Sequence, residues 1–213
     1  MKLGEIKIQA LSIVYPHLAV RYDDGDEDEI NNAVYELKSN PNLEGALESS
    51  VGSINRALAH IESMGLGGTR CVDIAASTLK RSAGGQAIIA PEGDFYSVER
   101  VLCHRGGKTY ACGYECANGV IYADYMARGV YTLVYRSKIP RVRRTTADSY
   151  NVDLPTGICE AIPYFVAYEL FGAENPDKAQ ASMRIFEIIM ARAEKRSAPC
   201  NECFQIIYSM EED

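Results

Sequence analysis

Apolar residues in the first third of the chain recur every three or four positions, which is the spacing of one face of an α-helix. The pattern predicts helices over residues 3–14, 28–38 and 41–64. Asn40 followed by Pro41 is typical of the start of a helix. In the third helix, spacings of four and three alternate, which indicates a seam that packs against other helices. The seam positions are Leu47, Val51, Ile54, Leu58 and Ile61.

From about residue 70 the apolar period changes to two, which predicts β-strands. Pairs of turn residues separate runs that are rich in Val, Ile, Tyr and Cys, and Asn118-Gly119 is the strongest hairpin signal among them. Strands are predicted near residues 70–78, 86–90, 95–103, 108–114, 119–124 and 130–136. This middle segment therefore reads as an antiparallel β insertion between helical segments.

The helical period returns in a predicted helix pair over residues 155–171 and 176–195. The second helix carries two apolar stripes. One consists of Ala179, Met183, Phe186, Met190 and Ala193, and the other of Ile185, Ile188 and Ile189. A helix pair that is apolar on more than one side has to be covered, by the rest of the chain or by copies of it. This feature indicates assembly rather than catalysis.

Together these elements predict an α+β fold, an α-helical bundle body with an inserted antiparallel β-sheet or β-barrel-like unit. Residues 1–66 are expected to form the N-terminal helices of the bundle, and residues 67–140 the β insertion. Residues 141–196 are expected to form a linker and the helix pair that completes the bundle, and residues 197–213 a C-terminal arm.

Composition and charge narrow the classes of function. The chain has 213 residues, of which 47% are apolar and 24% charged, values typical of one folded domain or a domain with an insertion. The net charge of −7 argues against tight DNA binding through a strongly basic surface, although DNA could still slide past. No apolar run reaches the roughly 20 residues that cross a bilayer, and the N-terminus does not resemble a signal peptide. We expect no membrane partner and a location in the cytoplasm or in a particle assembled there.

Two cysteine pairs could supply four thiolates to a structural zinc ion, Cys112 with Cys116 and Cys200 with Cys203. The pairs are far apart in sequence. The alternative is that these are reduced cysteines serving as small apolar residues. The odd total of seven cysteines favours reduced thiols. The expectation is therefore a protein without cofactor, with zinc kept as an alternative.

Candidate catalytic residues do not converge on a recognisable site. Cys103 and His104 are adjacent on a predicted strand, so they point to opposite faces and cannot act as a pair. His17 or His60 could serve as a distant partner, but neither lies in a known motif. We therefore expect no enzymatic activity.

Arg141, Arg143 and Arg144 form a basic cluster in the linker after the last predicted strand. They are candidate interaction residues, because they could pair with an acidic segment such as residues 23–29 of a neighbouring copy. A solvated linker is an equally good interpretation. Specific recognition of nucleic acid is not indicated, because the cluster has little aromatic interleaving and lies in an acidic chain.

Two segments resemble the head–tail connector, or portal adaptor, proteins of tailed bacteriophages. The first is the hairpin series "DFYSVERVLC", "GGKTY", "NGVIYADY" and "YTLVYRSKIP" over residues 94–140. The second is the helix pair "DLP", "AIPYFVAYELF", "NPDKAQ" and "FE" over residues 153–187. The resemblance lies in the order of these motifs and, with the N-terminal helices, covers most of the chain.

The resemblance implies a homo-oligomeric ring, commonly a dodecamer, bound beneath the portal protein at the capsid–tail junction of the virion. Such a ring extends the DNA channel, has transient non-specific contact with genomic DNA, and gives tail or neck proteins their docking surface. A C-terminal arm often grips the portal in this family. Here the arm would present Phe204, Ile206, Ile207 and Tyr208, although its "PCNEC" segment departs from the family pattern.

Three alternatives remain beside the connector. One is another structural protein of the phage neck or tail. The second is a zinc-stabilised regulatory or nucleic-acid-binding module, which bound metal and unfolding on chelation would indicate. The third is a hydrolase with a cysteine nucleophile, which selective labelling of one low-pKa thiol would indicate.

Overall fold

The computed structural model describes residues 1–16, 27–91, 93–172 and 174–197, and within them the protein is mixed α and β. The helices are α1 (Leu3–Val14), α2 (Glu27–Lys38), α3 (Pro41–Ser63), α4 (Thr156–Cys159), α5 (Ile162–Phe171) and α6 (Pro176–Ser197). The strands are β1 (Thr69–Ala75), β2 (Lys80–Arg81), β3 (Ala87–Ile89), β4 (Phe95–Arg105), β5 (Lys108–Ala111), β6 (Tyr114–Ala117), β7 (Val120–Ala123) and β8 (Val130–Ser137).

The chain divides into two compact units. The helical unit contains residues 1–57 and the described residues from 143 onward, and the β unit contains residues 58–142. The β unit thus begins at Leu58, inside α3, whereas the sequence predicts its start at residue 67.

In the helical unit, α1 packs against α2 and α5, and α5 packs against α6. Buried apolar residues hold these helices together, because removing such side chains from water is the main favourable term in folding. They include Leu3, Ile6, Ile8, Leu11, Ile30, Val34, Leu37, Phe165, Val166 and Phe186. The Lys7 ammonium, buried on α1, lies 2.6 Å from the Asp148 carboxylate, so its charge is paired.

The strands of the β unit form two open antiparallel sheets. One has the order β1-β8-β4-β5 and the other β2-β3-β7-β6. Their buried faces share one apolar cluster, which includes Ile89, Val101, Ile121, Tyr131 and Leu133. Asn118 and Gly119, at φ 53° and 74°, make the tight turn between β6 and β7, as their sequence predicts. Neither sheet closes on itself, so the barrel-like closure allowed for in the sequence analysis is not found.

The predicted elements and the structure differ at several places. The helix predicted over 155–171 is two helices, because Pro163 lacks an N–H and its ring would clash with the carbonyl of Cys159 in a continuous helix. The strand predicted over 108–114 covers β5 and only the first residue of β6, because the chain passes from one sheet to the other at Cys112 and Gly113. The rest of β6 was not predicted as a strand. Strand β2 was not predicted, since two residues are too few to show a period.

Candidate interaction surfaces

The second apolar stripe of α6 is largely uncovered. Ile185 and Ile188 are 40% and 52% exposed, and Ile189 beside them is half-buried. We call these three residues the α6 stripe. In the first stripe, by contrast, the side chains of Ala179, Phe186 and Met190 are buried. The helix therefore buries one side within its own unit and presents the other.

The partner helix α5 is covered by its own chain over most of its surface. Ile162, Phe165, Val166 and Ala167 are buried, and the Phe165 ring meets the Phe186 ring of α6 edge-on at 5.2 Å between centroids. Such edge-to-face pairs stabilise beyond the area they bury. The apolar residues of the helix pair thus fall into two groups. Those of α5 are mostly buried within the chain, whereas the α6 stripe is exposed.

The predicted interaction cluster of arginines is mostly engaged within its own chain. The Arg141 guanidinium lies 2.5 Å from the Glu62 carboxylate, which also accepts the Ile139 N–H at 2.7 Å. Arg144 lies 3.6 Å from Glu48, with both side chains largely exposed. The side chain of Arg143 is exposed, and its backbone N–H donates to the Thr146 hydroxyl. Only Arg143 and the weakly paired Arg144 thus remain for a partner.

The candidate zinc ligands are not brought together among the described residues. The Cys112 thiol donates to the carbonyl oxygen of Asp124, and Gly113 bonds to Asp124 at the same level of the ladder. Cys116 pairs with Ile121 of β7, which lies three residues before Asp124. The two cysteines are therefore separated by roughly 10 Å along the strand. Two thiolates on one zinc ion lie within about 4.6 Å of each other. Cys200 and Cys203 lie outside the described residues, as do the arm residues Phe204, Ile206, Ile207 and Tyr208.

No group of three or more metal-ligating side chains occurs in the described ranges. The side chains meant here are those of His, Cys, Asp and Glu. A complete zinc site built from described residues is therefore not present, and the remaining zinc hypothesis depends on Cys200 and Cys203.

The Cys103 thiol and the His104 ring lie on opposite faces of β4, as their sequence predicts. Burial raises the pKa of Cys103 to about 12, and a hydrogen bond with Cys112 and the nearby charge of Asp124 add to this effect. The His104 nitrogens lie 2.9 Å from the Thr109 hydroxyl and 2.8 Å from the Thr132 hydroxyl. Cys103 is thus held as a neutral thiol, and the thiolate is the nucleophilic form.

A two-point ion pair joins α3 to α5 in the helical unit. The Arg56 Nε and Nη2 atoms donate to the two Glu169 oxygens, each at 2.6 Å. Burial alone would raise the pKa of Glu169, but hydrogen bonds from Arg56 and Ser53 and the charge of Arg56 outweigh it, so the pKa is lowered. Sequence reasoning missed this pair because 113 residues separate the partners.

Among the described helices, none combines the length and apolar content that crossing a bilayer requires. No protein-family model matches this chain. No curated protein matches it significantly. A proposal for its function therefore rests on the residues and surfaces described above.

Proposed function

We propose that the chain is a structural subunit of a bacteriophage head–tail connector, a ring that joins the portal to the tail and extends the DNA channel. The observation that carries the proposal is the α6 stripe. Ile185 and Ile188 lie one turn apart on a helix whose opposite side is buried. An exposed apolar patch of this kind is typical of an interface between proteins.

The order of elements also supports the proposal. The first segment that resembles the connector family, residues 94–140, contains the strands from β4 to β8. The second, residues 153–187, contains α4, α5 and the first half of α6. Each segment thus corresponds to consecutive elements of one unit. In the proposed subunit, the helices form the bundle body of the ring.

A closed ring requires a head-to-tail interface, in which one surface of a copy contacts a different surface of the next copy. The α6 stripe would be one of these surfaces. The acidic balance of the residues outside 58–142 suits a channel that passes DNA without binding it tightly, because fixed cations would bind phosphates. The proposed partners are further copies, commonly twelve, the portal protein, and tail or neck proteins. The proposed location is the capsid–tail junction of the virion.

Oligomeric state tests the proposal. We would measure native mass and negative-stain images of the full chain, alone and co-expressed with the portal protein of its source. Ile188→Glu places a charge in the α6 stripe, and we expect it to abolish the ring while circular dichroism and melting temperature stay unchanged. Gln180→Glu is the matched control, since it adds the same charge at an exposed position of α6 outside the stripe.

A ring in the unmodified chain and in Gln180→Glu, and its loss in Ile188→Glu, is the expected result. A persistent monomer or dimer of the unmodified chain, both alone and with the portal, would contradict the connector proposal. If Ile188→Glu still formed normal rings, the α6 stripe would not be part of the interface between copies.

A further inference from the structure

The β unit contains an open cavity of about 800 Å³ that is lined by cations. One wall is a single face of the β4–β5 hairpin, because alternate strand residues point to the same side. Arg105 pairs directly with Lys108 across this hairpin, and Tyr110 follows on the same face. Arg81 and Tyr125 line the cavity from other parts of the β unit.

The arrangement of charge in this cavity is unfavourable for the isolated protein. Arg105 and Lys108 are directly opposite each other, and like charges in that position destabilise a strand pair. Among the described residues, no carboxylate forms an ion pair with Arg81, Arg105 or Lys108. The one carboxylate in the lining, Asp124, accepts the Gly113 N–H at 3.0 Å. Three cations and one carboxylate leave a net charge of +2, which a bound anion would offset.

Charge is also unevenly distributed along the chain. Residues 58–142 contain ten Lys and Arg and seven Asp and Glu, a net charge of +3. Because the whole chain carries −7, the remaining residues carry −10. The β unit is therefore basic although the chain as a whole is acidic. Acidic groups further away than the Debye length, about 8 Å at physiological salt, are largely screened and repel an anion at the β unit only weakly.

Aromatic rings lie among these cations. The Arg81 guanidinium carbon is 3.5 Å from the centroid of the Tyr125 ring, a cation–π contact that restrains the guanidinium. The Tyr110 ring is 51% exposed on the same face as Arg105 and Lys108. Cations beside exposed rings are the combination with which proteins bind single-stranded nucleic acid, because the cations hold phosphates and bases stack on the rings.

We propose that this cavity binds a short stretch of single-stranded nucleic acid. Arg81, Arg105 and Lys108 contact phosphates, and a base stacks on Tyr110. An acidic peptide would satisfy the cations equally well but would leave the exposed ring of Tyr110 unused, so a nucleic acid fits the cavity better. The cavity lies within one unit of the subunit, so this binding does not depend on the formation of a ring and is tested separately from it.

The test uses fluorescence anisotropy with the full chain and a labelled oligothymidine of about ten nucleotides, titrated over a range of salt. Lys108→Glu is expected to weaken binding about tenfold and to lower the slope of log K against log salt by at least about 1. It should not lower the melting temperature, because the new carboxylate faces Arg105 across the hairpin. Lys138→Glu makes the same charge change at an exposed position of the β unit outside the cavity, and it should bind normally.

Tyr110→Ala separates stacking from charge. It should weaken binding of oligothymidine about tenfold but leave binding of an abasic oligomer of the same length unchanged. Several outcomes would overturn the proposal: no binding at low salt, equal loss in Lys138→Glu and Lys108→Glu, or unchanged binding in Lys108→Glu. Competition by polyglutamate as strong as that by oligothymidine would also overturn it, in favour of an acidic protein ligand.

Discussion

The Arg56 guanidinium and the Glu169 carboxylate join α3 to α5 through two hydrogen bonds of 2.6 Å. Arg56 is 61% exposed and Glu169 is 20% exposed. Solvent therefore screens the attraction in part, while the two-point geometry keeps both side chains in place. The pair contributes stability that depends on the charge of Glu169.

Glu169→Gln should lower the free energy of unfolding by about 1 kcal/mol at neutral pH, the upper end of the range for exposed pairs. The pKa of Glu169 is lowered in the folded state. Its stabilising effect is therefore fully present above its unfolded pKa and is lost as the pH falls through the lower folded value. The difference between the unmodified chain and Glu169→Gln should shrink toward zero in acid.

Urea unfolding at pH 7 and at about pH 3, below the unfolded pKa of a glutamate, measures this difference. Glu174→Gln, at an exposed position beyond α5, is the control and should match the unmodified chain at both pH values. A difference that stayed constant with pH would show that the variant acts through packing instead of charge.

Charged residues are the part of the structure least accessible to sequence reasoning. The basic cluster at 141–144 looked available for a partner because local sequence does not show that Glu62 and Glu48 pair with it. Local sequence does not predict the convergence of Arg81, Arg105 and Lys108, since it depends on strand pairing. The opposite faces of Cys103 and His104 were predictable, because alternation along a strand is a local property.

At the scale of elements, local periodicity was sufficient for most helices and strands. The seam of α3 illustrates this, since Leu47, Val51, Ile54, Leu58 and Ile61 are all buried. Prediction failed where a single residue or a tertiary change interrupts a pattern. Pro163 divides the predicted helix, and the passage of the chain between sheets divides the predicted strand. The sequence shows that the α6 stripe is apolar, but only the structure shows that the described residues of its unit leave Ile185 and Ile188 exposed.

Two glycines, one inside α3 and one just beyond its C-terminal end, should respond in opposite directions to the same substitution. Gly45 lies in the body of the helix with open space at its Cβ position, so Gly45→Ala should stabilise the protein by about 1 kcal/mol. Gly65 ends the helix at φ +70°, also with open space, so Gly65→Ala should destabilise it by about 1 kcal/mol through backbone strain. Chemical denaturation, compared at equal m-values, measures the change in free energy of unfolding for each variant. If both variants changed this free energy in the same direction, this account of the helix end would be contradicted.

At the scale of the whole molecule, sequence reasoning predicted helical and β segments but not the strand order or the distribution of charge. The pairing of β1 with β8 joins residues about 60 positions apart, which no local pattern encodes. The net charge of −7 was read as one property of the chain, although the β unit and the remaining residues differ in sign. Charge therefore carries functional information only when it is assigned to each unit.

The C-terminal arm provides the last prediction. Among the residues that the structure describes, the last buried core residue is Met190. The proposed function makes residues 197–213 an arm outside the core, so their deletion should leave the subunit folded. Its apolar residues Phe204, Ile206, Ile207 and Tyr208 are instead assigned to the portal contact by the proposed function. We expect the truncated chain to keep its circular dichroism spectrum and melting temperature but to lose co-purification with the portal.

The control is a variant in which alanines replace the last three residues, a change limited to the acidic end, and this variant should still co-purify with the portal. Truncated subunits that assembled into particles at normal copy number would show that the arm does not grip the portal, and unfolding of the truncated chain would instead place these residues in the core of the subunit.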